Sequence, residues 1–278
     1  MNEFFEILSY SFIQRALIVG TLISLCSALL GVSLVLKRFS MIGDGLSHVG
    51  FGALAIAAAL GFTPLYVAIP VVVITAIVLL RFTYNSKLKG DSAIAVISTA
   101  ALAIGVIIVS VSGTNTDLSN YMFGSILSIS SADAVLSVVL TVIIALLYII
   151  FYHRIFAITF DEDFARATGT KVSLFNTLLA VLTSVTVVIG MRMMGTLLVS
   201  SLIIFPPLSA IRICKSFKGV TILSAVISVL SFLFGLFLSY QLSFPTGATI
   251  VITNLFVMII SFIYRKLIDT IKRKRTGI

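Results

Sequence analysis

The chain has 278 residues, 59% of them hydrophobic and 10% charged, with a net charge of +9 and a mean hydropathy of +1.21. A soluble globule carries about 25% charged residues, so this chain has too little polar surface to face water and its solvent is mostly lipid. Its basic residues sit at the ends of apolar runs and form no stripe, which excludes nucleic acid as a partner and matches the way membrane proteins use Lys and Arg.

The opening Met1-Asn2-Glu3 lacks a basic n-region and a clear cleavage site, so it reads as retained sequence. Nine apolar runs follow, each long enough for a bilayer core of about 30 Å. They cover residues 12–36, 43–60, 64–80, 92–112, 132–151, 172–191, 195–211, 220–240 and 247–264. The predicted fold class is all-α: a polytopic integral membrane protein of eight or nine transmembrane helices. The eight-helix version needs a re-entrant pair near residues 190–207. Little chain remains for a soluble module, so residues 1–278 read as a single transmembrane domain.

Charge predicts the orientation. With Lys272-Arg273-Lys274-Arg275 placed inside, alternation through nine spans puts all Lys and Arg except Arg15 and Arg192 on the cytoplasmic side. Three segments stand apart. Residues 114–131 are polar with an aromatic patch and predict an outside hairpin. Residues 160–169, Phe-Asp-Glu-Asp-Phe-Ala-Arg-Ala-Thr-Gly, predict a short cytoplasmic amphipathic helix with acids in its first turn and Gly169 as its stop. This helix is either a docking element for a cytoplasmic protein or a solvated loop helix. At Pro206-Pro207 the lost N–H groups free backbone carbonyls and predict a bent or broken helix. Cys26 and Cys214 have no metal-ligand spacing and read as packing residues.

Asp44 and His48 carry the chemistry. They lie four residues apart in the predicted helix 43–60, so they share one face about one turn apart. A carboxylate oxygen and an imidazole nitrogen could meet one cation there, a mixed donor set that zinc, manganese and iron accept. Ionisable groups inside a membrane are functional hypotheses by default. A structural reading stands beside this one, with Asp44 capping the helix and His48 bonding a neighbouring carbonyl. Two ligands are too few for a tight site, so further ligands must come from another helix, a dimer partner or water. Weak ligation suits a path that releases its cargo. The glycines and alanines of the same helix, Gly43, Gly45, Gly50, Gly52 and Ala53 among them, predict close packing in the centre of a bundle.

The chain has no Gly-x-x-x-x-Gly-Lys-[Ser/Thr] phosphate loop, no His-Glu-x-x-His and no Gly-x-Ser-x-Gly. It does not read as an enzyme, and active transport must draw its energy from another subunit or an ion gradient.

The stretch Arg38-x-Ser40-x-x-Gly43-Asp44-x-x-Ser47-His48 resembles the signature of the metal-uptake ABC transporter permeases of the zinc, manganese and iron type. Further motifs agree in order: Tyr121-Met122-Phe123-Gly124-Ser125-Ile126-Leu127, then Asp161-x-Asp163-x-Ala165-x-x-x-Gly169. Gly195-x-Leu197-Leu198-Val199 through Pro206 and Pro245-x-Gly247-Ala248 complete the set. The resemblance covers nearly the whole chain. It implies a permease related in type to the iron-chelate and cobalamin importers, working as a homodimer with cytoplasmic ABC ATPase subunits and an extracytoplasmic metal-binding protein. It implies that Asp44 and His48 contact the transported divalent metal and that no cofactor is bound permanently. It also implies that Asp161, Glu162, Asp163, Ala165 and Gly169 form the ATPase-coupling segment. Gly45 and Val49 depart from the family's usual alanines, and Pro207 doubles a position where one proline is usual. The rival readings are a permease for iron chelates or cobalamin and a non-transporting membrane scaffold.

Overall fold

The computed structural model describes residues 11–85, 90–112, 124 and 131–276. The predicted hairpin at 114–131, with its motif at 121–127, lies outside the described residues except for Gly124 and Ser131, and so does the opening 1–10. Every element among the described residues is helical: α1 Ser11–Leu36, α2 Ile42–Ala59, α3 Pro64–Asn85, α4 Gly90–Ser112, α5 Ser131–Ile150, α6 Tyr152–Phe160, α7 Glu162–Ala167, α8 Val172–Met194, α9 Thr196–Ile213, α10 Phe217–Leu242 and α11 Thr246–Thr276. Nine of these are long and apolar enough to cross a membrane. In lipid each such run must satisfy its own backbone hydrogen bonds, so a helix is the only form open to it.

Burial sorts the nine into two layers. In α2 and α1, 72% and 67% of the most apolar window is buried by protein, against 11% in α4 and 28% in each of α3, α5 and α11. The centre is therefore α1, α2, α8 and α9, wrapped by α3, α4, α5, α10 and α11. The outer helices expose rows of large apolar side chains, such as Val96, Ile107 and Val111 on α4, where lipid is the natural neighbour.

Small residues bring α2 close to its neighbours. A Cβ at Gly52 would stand 2.7 Å from the Ala101 carbonyl oxygen of α4, and one at Gly43 would stand 2.9 Å from Ile203 Cδ1 of α9. Polar side chains tie the bundle as well. Ser228 Oγ of α10 donates to the Ser24 carbonyl of α1 at 2.8 Å, and Cys26 is buried with its thiol directed at the Thr141 carbonyl of α5 at 3.3 Å.

Two findings change the sequence-based picture. Of the bend or break expected at Pro206-Pro207, the break does not occur: α9 runs through both prolines from Thr196 to Ile213. The ring of Pro207 leaves the Ile203 carbonyl without its usual N–H, and that carbonyl lies against Gly31 of α1, where no side chain intervenes. The helical interruption instead falls at Gly195, the one residue between α8 and α9. Its φ of 88° and ψ of 158° belong to a region that only glycine occupies readily, so a side chain here costs on the order of 1–3 kcal/mol.

Candidate metal-transit site

Asp44 stands in the first turn of α2 and His48 one turn later. The helix opens at Met41 without any side-chain cap, so the capping role open to Asp44 is not the one it takes. Its carboxylate reaches outward instead. Oδ2 faces His48 Nε2 at 3.6 Å, and Oδ1 accepts a hydrogen bond from Ser200 Oγ of α9 at 3.2 Å. The neighbouring Ser47 hydroxyl is turned back to the Asp44 carbonyl at 2.7 Å and adds no ligand. On this largely buried helix the two side chains remain 41% and 31% exposed, Asp44 the more open. Ser200 sits about 6 Å along α9 from its start and about 20 Å from its end, at about 1.5 Å per residue.

The donor set is one carboxylate, one imidazole and one hydroxyl, contributed by two helices. Among the described residues no group of three or more His, Cys, Asp and Glu side chains gathers to hold a metal. Such a site can touch a passing cation and release it, which a closed four-ligand cage does poorly.

A second polar cluster lies on the other side of the α1–α2 turn. Lys37 Nζ stands 2.7 Å from Glu162 Oε1 and donates to Asn176 Oδ1 at 2.6 Å, while Asn176 Nδ2 donates to Glu162 Oε1 at 3.1 Å. This closes a triangle between the end of α1, α7 and the start of α8. Burial pushes the Lys37 ammonium below its ordinary value, and the Glu162 carboxylate pulls it part of the way back.

The segment predicted to couple divides by role. Asp161 is the N-cap of α7 and accepts from the Phe164 N–H at 2.9 Å. Gly169, at φ 83°, closes the helix with the Thr170 N–H bonded to the Ala165 carbonyl. Ala165 is fully buried and Glu162 turns inward to Lys37. The outer face of α7 is left to Asp163, Phe164 and Arg166, all exposed.

These features match known proteins along nearly the whole chain. A model of the ABC 3 transport family matches residues 9–265. The chain belongs to the ABC 3 transport family. Its relatives include the manganese import system permease protein ScaB of Streptococcus gordonii, 30% identical over 275 residues and 99% of each chain. The manganese transport system membrane protein MntC of Halalkalibacterium halodurans is 30% identical over 94% of this chain and 90% of its own. Among solved structures, PsaBC from Streptococcus pneumoniae in complex with Fab superposes with a TM-score of 0.84 at 31% identity, covering 94% of this chain and 95% of the other. A transporter described as of the metal-chelate ABC type, in an inward-facing conformation, shares the fold with a TM-score of 0.72 at 17% identity over 90% of this chain and 85% of the other.

The resemblance read from Arg38 to His48 and from the ordered motifs is therefore correct at the level of the ABC 3 family, as is the multi-pass helical permease fold. Sequence reasoning missed Ser200 and Asn176. Each is a neutral polar residue beside another, Ser201 and Thr177, in an otherwise apolar run, without the charge that made Asp44 conspicuous. Arg192, which broke the charge pattern, pairs with Asp133 of α5 at 3.1 Å. Had the two been tested as a pair across spans, their opposite charges near helix ends would have suggested it.

Proposed function

We propose that this ABC 3 protein is the membrane-spanning permease of an importer for a divalent transition metal, and that the ion passes Asp44, His48 and Ser200. One observation carries the reading: on a helix otherwise enclosed by protein, a carboxylate and an imidazole are left half-open, facing each other at 3.6 Å. Manganese is the first cargo to test. The relatives ScaB and MntC carry it in their names, and a donor set of oxygen and nitrogen without thiolate suits a harder ion. Zinc and iron share much of that preference. The metal is cargo, with no permanent cofactor.

In this reading the whole chain is one permease domain and two copies form a homodimer. The Lys- and Arg-rich end, including Lys272 to Arg275, faces the cytoplasm. Cytoplasmic ABC ATPase subunits seat on the exposed face of α7, and an extracytoplasmic metal-binding protein delivers the ion. The Lys37–Glu162 pair ties α7 to the turn immediately before α2, so a displacement of α7 is carried to Asp44.

The test is metal accumulation in cells lacking their own permease and supplied with this chain, its ATPase and its binding protein. Manganese, zinc and iron are read by mass spectrometry, with membrane levels matched between the native chain and the Asp44→Ala/His48→Ala variant. Manganese that rises with the native chain and stays at background with the variant supports the reading. A rise in zinc or iron alone replaces the cargo. Equal accumulation with both makes the pair structural, and no accumulation with either brings forward the chelate and scaffold readings.

A further inference from the structure

We infer that the groove between the end of α9 and the emerging end of α11 holds the phosphate of an anionic lipid headgroup. The groove, of about 560 Å³, is lined by Arg212, Phe262, Arg265, Lys266, Asp269 and Thr270 among others. Three cations face one carboxylate, so the cleft is net positive. Arg212 lies over the Phe262 ring at 4.4 Å, which fixes its plane and leaves the N–H donors at the guanidinium edge. Arg265 Nε pairs with Asp269 Oδ2 at 3.0 Å and is held at the rim. Two fixed guanidinium groups and an ammonium match the tetrahedral, multiply charged oxygens of a phosphate better than they match a single carboxylate.

The position points to lipid as the source of that phosphate. α11 has 31 residues, about 46 Å at about 1.5 Å per residue, against a bilayer core of about 30 Å. Its apolar stretch ends at Tyr264, so Arg265 and Lys266 emerge where headgroups lie. Toward the membrane core on the same face of α11, Phe256, Ile259 and Ile263 are exposed. This apolar ridge beside the cationic groove gives the acyl chains a surface while the headgroup is bound. The inference needs only the membrane fold and is independent of the cargo.

The test titrates the delipidated full-length chain in detergent with phosphatidylglycerol, phosphatidylcholine or inorganic phosphate, reading bound lipid by native mass spectrometry. Phosphatidylglycerol should bind at least tenfold tighter than phosphatidylcholine. A cation near an anionic surface is worth about fivefold in affinity, so Arg265→Gln/Lys266→Gln should lose tenfold or more, and Asp269→Asn should gain about fivefold. The opposite signs separate a binding effect from misfolding: if the double variant does not fold, the gain in Asp269→Asn decides. Equal affinity for the two lipids, an unchanged Asp269→Asn, or displacement of phosphatidylglycerol by an equal concentration of inorganic phosphate overturns the proposal. It is also overturned if the variants weaken ATPase copurification while lipid preference is intact, since the groove is then a protein contact.

Discussion

The α1–α2 turn separates two polar clusters built on opposite rules. Lys37, Glu162 and Asn176 are mostly buried and bond one another in a closed triangle. Asp44, His48 and Ser200 are half-open, and only one of their contacts, Ser200 to Asp44, is a hydrogen bond. A buried charge persists only when its partners are satisfied, so the first cluster can hold helices together but has nothing left for a ligand. The second keeps donor capacity unspent, as binding requires.

The largest expected effect breaks the closed cluster. Glu162→Ala strips the countercharge from buried Lys37 and should destabilise the fold by about 3 kcal/mol, seen as a lower thermal midpoint in detergent. Replacing both partners, as in Lys37→Met/Glu162→Met, should recover most of it, because no charge is left uncompensated. A Glu162→Ala midpoint equal to the native one contradicts the buried tie.

Next in size is the open cluster, where function should fall and the fold should not. Asp44→Ala or His48→Ala should cut metal accumulation tenfold or more, with stability within about 1 kcal/mol of native. If either substitution unfolds the chain as Glu162→Ala does, the contrast between the clusters is lost. Ser200→Ala removes one hydrogen bond to a carboxylate, and solvent at this half-open site holds its worth to about 1 kcal/mol, below the range of buried charged hydrogen bonds. It should raise the half-saturating metal concentration roughly fivefold while the maximal rate stays near native. A drop in the maximal rate alone would place Ser200 elsewhere in the cycle.

The smallest effect is in pH. Burial holds the folded Lys37 value below the ordinary 10.5, so the folded state binds fewer protons than the unfolded state between the two values. Stability of the native chain relative to Lys37→Met should therefore rise as pH climbs through the depressed value toward 10.5. A flat difference over that window shows that Glu162 fully offsets the burial.

Hydropathy and charge were sufficient to locate eight or nine candidate spans, the pair at Asp44 and His48, and the short helix after residue 160, because each depends on neighbours within a turn or on a run long enough for the bilayer. Local pattern overestimated Pro206-Pro207, since the freed Ile203 carbonyl settles against Gly31, far away in sequence. The small residues of α2 pointed to its enclosed position, but the local pattern could not tell which side chains of the outer helices, such as those of α4, face out. Lipid tails are as apolar as leucine, so hydropathy does not say which apolar side chains of a helix meet lipid and which meet protein. Only the packed bundle put Ser200 against Asp44, turned Glu162 inward and gave Arg192 its partner Asp133, because each contact joins residues of separate helices at distances that no period in the chain encodes.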